Sequence, residues 1–192
     1  MKLDSRKLLL ELDFELKTLI EKSSKIQMEP EATLGENPAN GGWSVLECYD
    51  HLNRYSAYYI PEIKKSIDRA KESNSTTYKT GLLGNYSAKQ MLPKEGKVKN
   101  KMNTFKSKNP SITTTALDKS VLEHFIYDQK ILRKLLKQAG KVDLGKTKVK
   151  TTFPLISFKL GDILRFHINH ELRHMLQIER TLNAVKATEV TA

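Results

Sequence analysis

Cysteine is nearly absent from this chain. Cys48 stands alone among 192 residues, so no disulfide can close within it. A small scaffold held by disulfides is thereby excluded. Long apolar runs are also missing, and none approaches the roughly 20 residues that a membrane-spanning helix needs. The opening stretch MKLDSRKLLLELDFELKTLIEK mixes charge with apolar residues. It has neither the unbroken apolar stretch nor the cleavage site of a secretory signal. Together these absences point to the cytoplasm.

Acidic residues are scarce beside basic ones, 22 against 33, which gives a formal net charge of +11. The excess is uneven. Residues 75–110 carry Lys79, Lys89, Lys94, Lys97, Lys99, Lys101, Lys106 and Lys108 against Glu95 alone, a net +7. Such a segment attracts anions or keeps a loop solvated. It lacks arginine and has few aromatic rings to stack on bases, which argues against nucleic acid as its partner. Contact with an acidic partner stays open.

The length fits one domain, over residues 1–192. There is no internal repeat. Four long helical patterns carry the apolar residues. The first runs from Lys2 to Lys25, with Leu3, Leu10, Leu12, Phe14, Leu16, Leu19 and Ile20 as its apolar positions. PEATLGENPANGG (30–42) then breaks any helix. The second pattern starts near Ser44, where Ser44 and Glu47 have capping-box spacing. Pro61 lies inside it, so a kink or break is expected there. Residues 75–113 read as a long connection packed over the helices, with short helical turns. The third pattern spans Thr115–Gln138, with Gly140 as its stop, and the fourth spans Leu160–Ala184. No convincing paired strands stand out. The expected fold is all-α, a four-helix bundle with one very long connection.

Three of the five histidines fall within FHINHELRHMLQIER, residues 166–180. At about 100° per residue, His170 and His174 lie about 40° apart on a helix, and His167 shares their stripe. An i, i+4 histidine pair is the simplest helical chelate for a transition metal, and a third ligand should come from a neighbouring helix. His51, in ECYDHLNRY, and His124, in LEHFIYD, are the two candidates. Periodicity does not choose between them. Glu47 and Cys48 lie one turn before His51 and are candidates to support it, Cys48 also as a soft ligand. Cys48 ordinarily behaves as a small buried hydrophobe, and a buried histidine as a hydrogen-bonded core residue. Tyr55, Tyr58 and Tyr59 read as packing residues with hydroxyls at the rim. Glu123 and Asp128 read as a solvated or capping pair.

GGWSVLECYDHLNRY and LGDILRFHINHELRHMLQIER resemble the two signature segments of the DinB/YfiT-like superfamily. One is a Trp-Ser opening, Trp43-Ser44, followed by His51-Leu52. The other is H-x3-H-x2-Q, here His170, His174 and Gln177. The resemblance implies an up-down-down-up four-helix bundle holding a divalent metal, zinc or nickel, on His51, His170 and His174. It makes His167 a core or supporting residue and gives Gln177 a place to orient His174. Family members often carry Arg-Gly before that glutamine, where this chain has Met175-Leu176.

Three histidines leave coordination positions open for water or a thiolate, the layout of a catalytic site. The expected function is a metal-dependent enzyme, a hydrolase or, as the resemblance to a superfamily with thiol-dependent transferases implies, an S-transferase using a low-molecular-weight thiol. By analogy with related bundles the chain is expected to form a homodimer. The alternative is a non-catalytic binding or structural module.

Overall fold

The computed structural model describes residues 1–39, 41–93, 104, 106–112 and 116–191, the last three as backbone only. Among these, six α-helices carry most of the chain: α1 (Ser5–Ile26), α2 (Glu31–Gly35), α3 (Val45–Arg69), α4 (Leu82–Met91), α5 (Ser120–Ala139) and α6 (Leu160–Thr191). Two short antiparallel ribbons accompany them. One pairs β1 (Lys2–Asp4) with β2 (Thr77–Lys79), the other β3 (Lys148–Lys150) with β4 (Ser157–Lys159).

The first helix starts three residues later than its apolar pattern. Lys2–Asp4 is extended because it pairs with Thr77–Lys79. Asp4 then caps α1 by accepting the Lys7 N–H at 2.7 Å. From there Leu8, Leu12, Leu16, Leu19, Ser23 and Ile26 recur at three- and four-residue steps and are all buried. Each fully buried leucine contributes about 2 kcal/mol of apolar transfer.

The capping box at the head of α3 forms in full. Glu47 N–H donates to Ser44 Oγ at 3.1 Å, and Ser44 N–H donates to the Glu47 carboxylate at 2.8 Å. The expected break at Pro61 does not occur, and α3 continues to Arg69. Pro61 withholds a hydrogen bond from the Ala57 carbonyl, but both residues are on the exposed face, where the loss costs little. The proline- and glycine-rich stretch is not wholly irregular either, since α2 forms within it.

The long connection is more structured than its composition implies. It contributes β2, the ten-residue α4 and two single helical turns, Lys106–Lys108 and Pro110–Ile112. Lys94, Lys97, Lys99 and Lys101 lie outside the described residues. Helix α4 packs on α6. That approach needs glycine: a Cβ on Gly84 would meet the Asp162 Cβ at 2.7 Å. Buried Asp162 accepts the Gly81 N–H at 2.7 Å and so ties the connection to the head of α6.

Helix α5 begins at Ser120, and residues 116–118 before it are not helical. Thr115, the expected start, lies outside the described residues. Helix α6 runs beyond the expected Ala184, to Thr191. Helices α1 and α3 each pack against both α5 and α6. The apolar core fills the space between the four, and α3 and α6 bring their histidines face to face.

Candidate metal centre

His51 sits on the second turn of α3, where the Ser44 cap sets the start of the helix. His170 and His174 project from adjacent turns of α6. One ring nitrogen from each of the three lies within 4.8 Å of the other two. His51 Nε2 and His170 Nε2 are 3.3 Å apart. His174 completes the triangle, with its ring centroid 4.6 Å from each of the other two.

The outer nitrogens explain which way the rings face. His51 Nδ1 lies 2.7 Å from the Lys108 carbonyl, which can only accept, so Nδ1 carries the proton. Its Nε2 lone pair is thereby turned to the centre. His174 Nδ1 lies 3.0 Å from Gln177 Oε1, which sets the same tautomer. His170 Nδ1 is buried without a hydrogen-bond partner. Burial pushes all three imidazoles below their ordinary range, His51 to about 4 and His174 to about 3, with the neighbouring rings adding to the effect on His170 and His174. They are therefore neutral at pH 7, the form that coordinates a metal.

Aromatic rings wall the cluster. Trp43 stands 4.8 Å from His51 and stacks on His174 at 6.2 Å. Tyr55 lies 5.0 Å from His51 and 4.7 Å from His170, and Phe166 stacks on His170 at 6.3 Å. The Lys108 ammonium sits over the Tyr55 ring at 5.5 Å and also donates to the Arg54 carbonyl. One residue of the basic connection thus supplies both a carbonyl to His51 and a cation to the wall. His51 is 1% exposed and His170 5%, whereas His174 is less completely buried.

The remaining sequence candidates divide. His124 lies away from the cluster on the exposed face of α5, 3.5 Å from Asp128. Glu47 is engaged at the helix cap and with Asn37 Nδ2 at 2.7 Å, and does not reach the histidines. Cys48 is fully buried in the core, and burial pushes its thiol up, away from the reactive thiolate. Tyr55 and Tyr59 are buried, and Tyr58 hydroxyl donates to the Thr151 carbonyl at 2.6 Å.

His167 belongs to a second buried cluster. Its Nε2 is 3.3 Å from Glu171 Oε1 and 3.5 Å from Ser56 Oγ. Gln129 Nε2 donates to the same Glu171 oxygen at 3.0 Å. Burial lowers His167 to about 4 and raises Glu171 to about 8, so the pair is neutral at pH 7. Asp128 is also buried, not solvated, and burial holds its carboxyl above the ordinary range. Glu171 and Gln129 did not stand out in the sequence. The i, i+4 spacing of His167 and Glu171 on an inward stripe was the available signal.

The three-histidine set can hold a metal ion. Its donor nitrogens converge, its outer N–H groups on His51 and His174 are bonded, and its rings are neutral. A family model described as the DinB superfamily matches residues 16–178. No curated protein and no solved structure matches the chain.

Proposed function

From the premise that the chain belongs to the DinB superfamily, we propose that it is a metal-dependent enzyme whose single divalent ion, zinc or nickel, is held by His51, His170 and His174. The observation that carries this reading is the convergence of three neutral imidazoles, two of them held by Lys108 O and Gln177 Oε1. The ring of contacts among α1, α5, α3 and α6 supports a four-helix bundle, which we read as up-down-down-up.

A bound ion in this site would supply Lewis acidity, with positions left for a substrate. The chain's own residues do the rest. Lys108 and Gln177 hold two ligands in orientation. Trp43, Tyr55 and Phe166 exclude bulk water, which strengthens electrostatic interactions inside. The less buried side of His174 gives a small molecule its way in. The reaction is hydrolysis of an electrophile or transfer to a low-molecular-weight thiol, and the partner expected in solution is a second copy of the chain.

The test is turnover by protein loaded with zinc or nickel against metal-stripped protein. Activated esters and amides form one panel, and thiols with an electrophile the other. Turnover that needs metal and disappears in His51→Ala supports the enzyme. Stoichiometric metal with no turnover in either panel returns the site to a structural role.

A further inference from the structure

A separate groove of about 700 Å³ opens where the head of α1 meets the tail of α5 and the segment that follows α3. That volume lies within the range of small-molecule sites, about 300–1,000 Å³. Its walls are mostly apolar, with Leu9, Leu10, Leu136 and Val142 among them. Leu10 is 64% exposed, although it belongs to a helix that otherwise buries its leucines well.

Two independent features give the groove polarity. The first is charge. Arg6, Lys137 and Lys141 line it, and none forms an ion pair with a described residue. Of the two acids there, Asp13 is already engaged by Arg133 at 2.7 Å and Lys17 at 3.1 Å, which leaves Glu72 alone. The positive end of α1 and the negative end of α5 meet at the same place, so their dipoles offset and the side chains decide the sign. The second feature is Ser5. It lines the groove, is 7% exposed, and its Oγ has no hydrogen-bond partner. A buried hydroxyl without a partner is costly unless something else supplies one.

We propose that this groove binds a small amphipathic anion, a medium-chain carboxylate whose alkyl body lies on Leu9, Leu10, Leu136 and Val142 and whose carboxylate accepts from Ser5 and pairs with Arg6, Lys137 and Lys141. The site is distinct from the histidine cluster and does not depend on a metal.

The test is amide NMR of the full chain titrated with octanoate, in metal-free and in zinc-loaded protein. Saturable shifts in residues 5–10 and 136–142, with the same affinity in both forms, are expected. Octanol and acetate should bind at least about tenfold more weakly, because each lacks half of the recognition. The Lys137→Glu/Lys141→Glu variant alters exposed residues only and should weaken octanoate about tenfold. Ser5→Ala should weaken it too while leaving the melting temperature unchanged or raised. Absence of saturable shifts, equal binding of octanol, shifts centred on His51 and His174, or competition by zinc would each overturn the site. Loss of stability in Ser5→Ala with binding intact would do so as well.

Discussion

Two buried polar clusters share helix α6 one turn apart, and they are completed in opposite ways. In the first, His51, His170 and His174 turn donor nitrogens toward one point, and the bonded outer nitrogens of His51 and His174 draw on Lys108 O and Gln177 Oε1. In the second, His167, Glu171, Gln129 and Ser56 bond to one another, while His167 Nδ1, Glu171 Oε2 and Gln129 Oε1 have no hydrogen-bond partner. The first is held from outside, and its donor nitrogens face one another. The second turns its bonds onto its own members and leaves three buried atoms without a partner. Histidines on one stripe of one helix therefore take different roles through what reaches them from α3, α5 and the basic connection.

The comparison breaks most directly at His170. His170→Ala should weaken zinc binding by more than about 100-fold, beyond what loss of a supporting residue does. It should also remove the stabilisation by zinc, about 4 kcal/mol at a free concentration near 1,000 times Kd. Calorimetric titration and thermal melts read both. The same substitution in the other cluster should act on folding alone. His167→Ala should cost about 2–4 kcal/mol, from the cavity and the unpaired Glu171, while zinc stoichiometry stays at one. Denaturant melts with a parallel metal assay would contradict the division if His167→Ala lost its metal.

Gln177→Leu sharpens the comparison from the supporting side. It should lower zinc affinity by about tenfold and leave stoichiometry intact, as measured by competition with a chelator. The smallest effect is in pH. The folded-state values of His51, His167 and His174 lie below the ordinary 6.5, so their contribution to stability is full above pH 6.5 and is lost as pH falls toward 4. Glu171 runs the other way. Its folded value of about 8 stands above the ordinary 4.5, so its contribution is full below 4.5 and is lost as pH rises to about 8. Between pH 6.5 and 8 the Glu171 slope stands clear of the histidines. Metal-free protein should lose up to about 1 kcal/mol per pH unit there, and Glu171→Gln should flatten the curve. An unchanged slope in that variant would assign it elsewhere.

What could be read from residue types was local. The Ser44–Glu47 cap depends on four consecutive residues, and the facing of His170 and His174 on helical rise alone. The choice between His51 and His124 was not local, because both lie on amphipathic helices. Packing decides it by burying His51 against α6 and leaving the His124 side chain 59% exposed. The three-residue strands escaped notice because Lys2–Asp4 has helical patterning and becomes extended only by pairing with Thr77–Lys79. Helix α4 was hidden by Gly84, a weak helix former retained for its approach to Asp162. The Lys108 contribution to His51 is a backbone carbonyl, which no side-chain pattern records.

The central claim is that α3 and α6 together build one metal site. Zinc titration of protein made without an affinity tag, followed by calorimetry and elemental analysis, tests it. The account predicts one zinc per chain in the natural sequence and none retained in His51→Ala, with both proteins folded by circular dichroism. A folded natural chain that takes up no stoichiometric zinc or nickel, or a His51→Ala variant that binds as tightly, would contradict it.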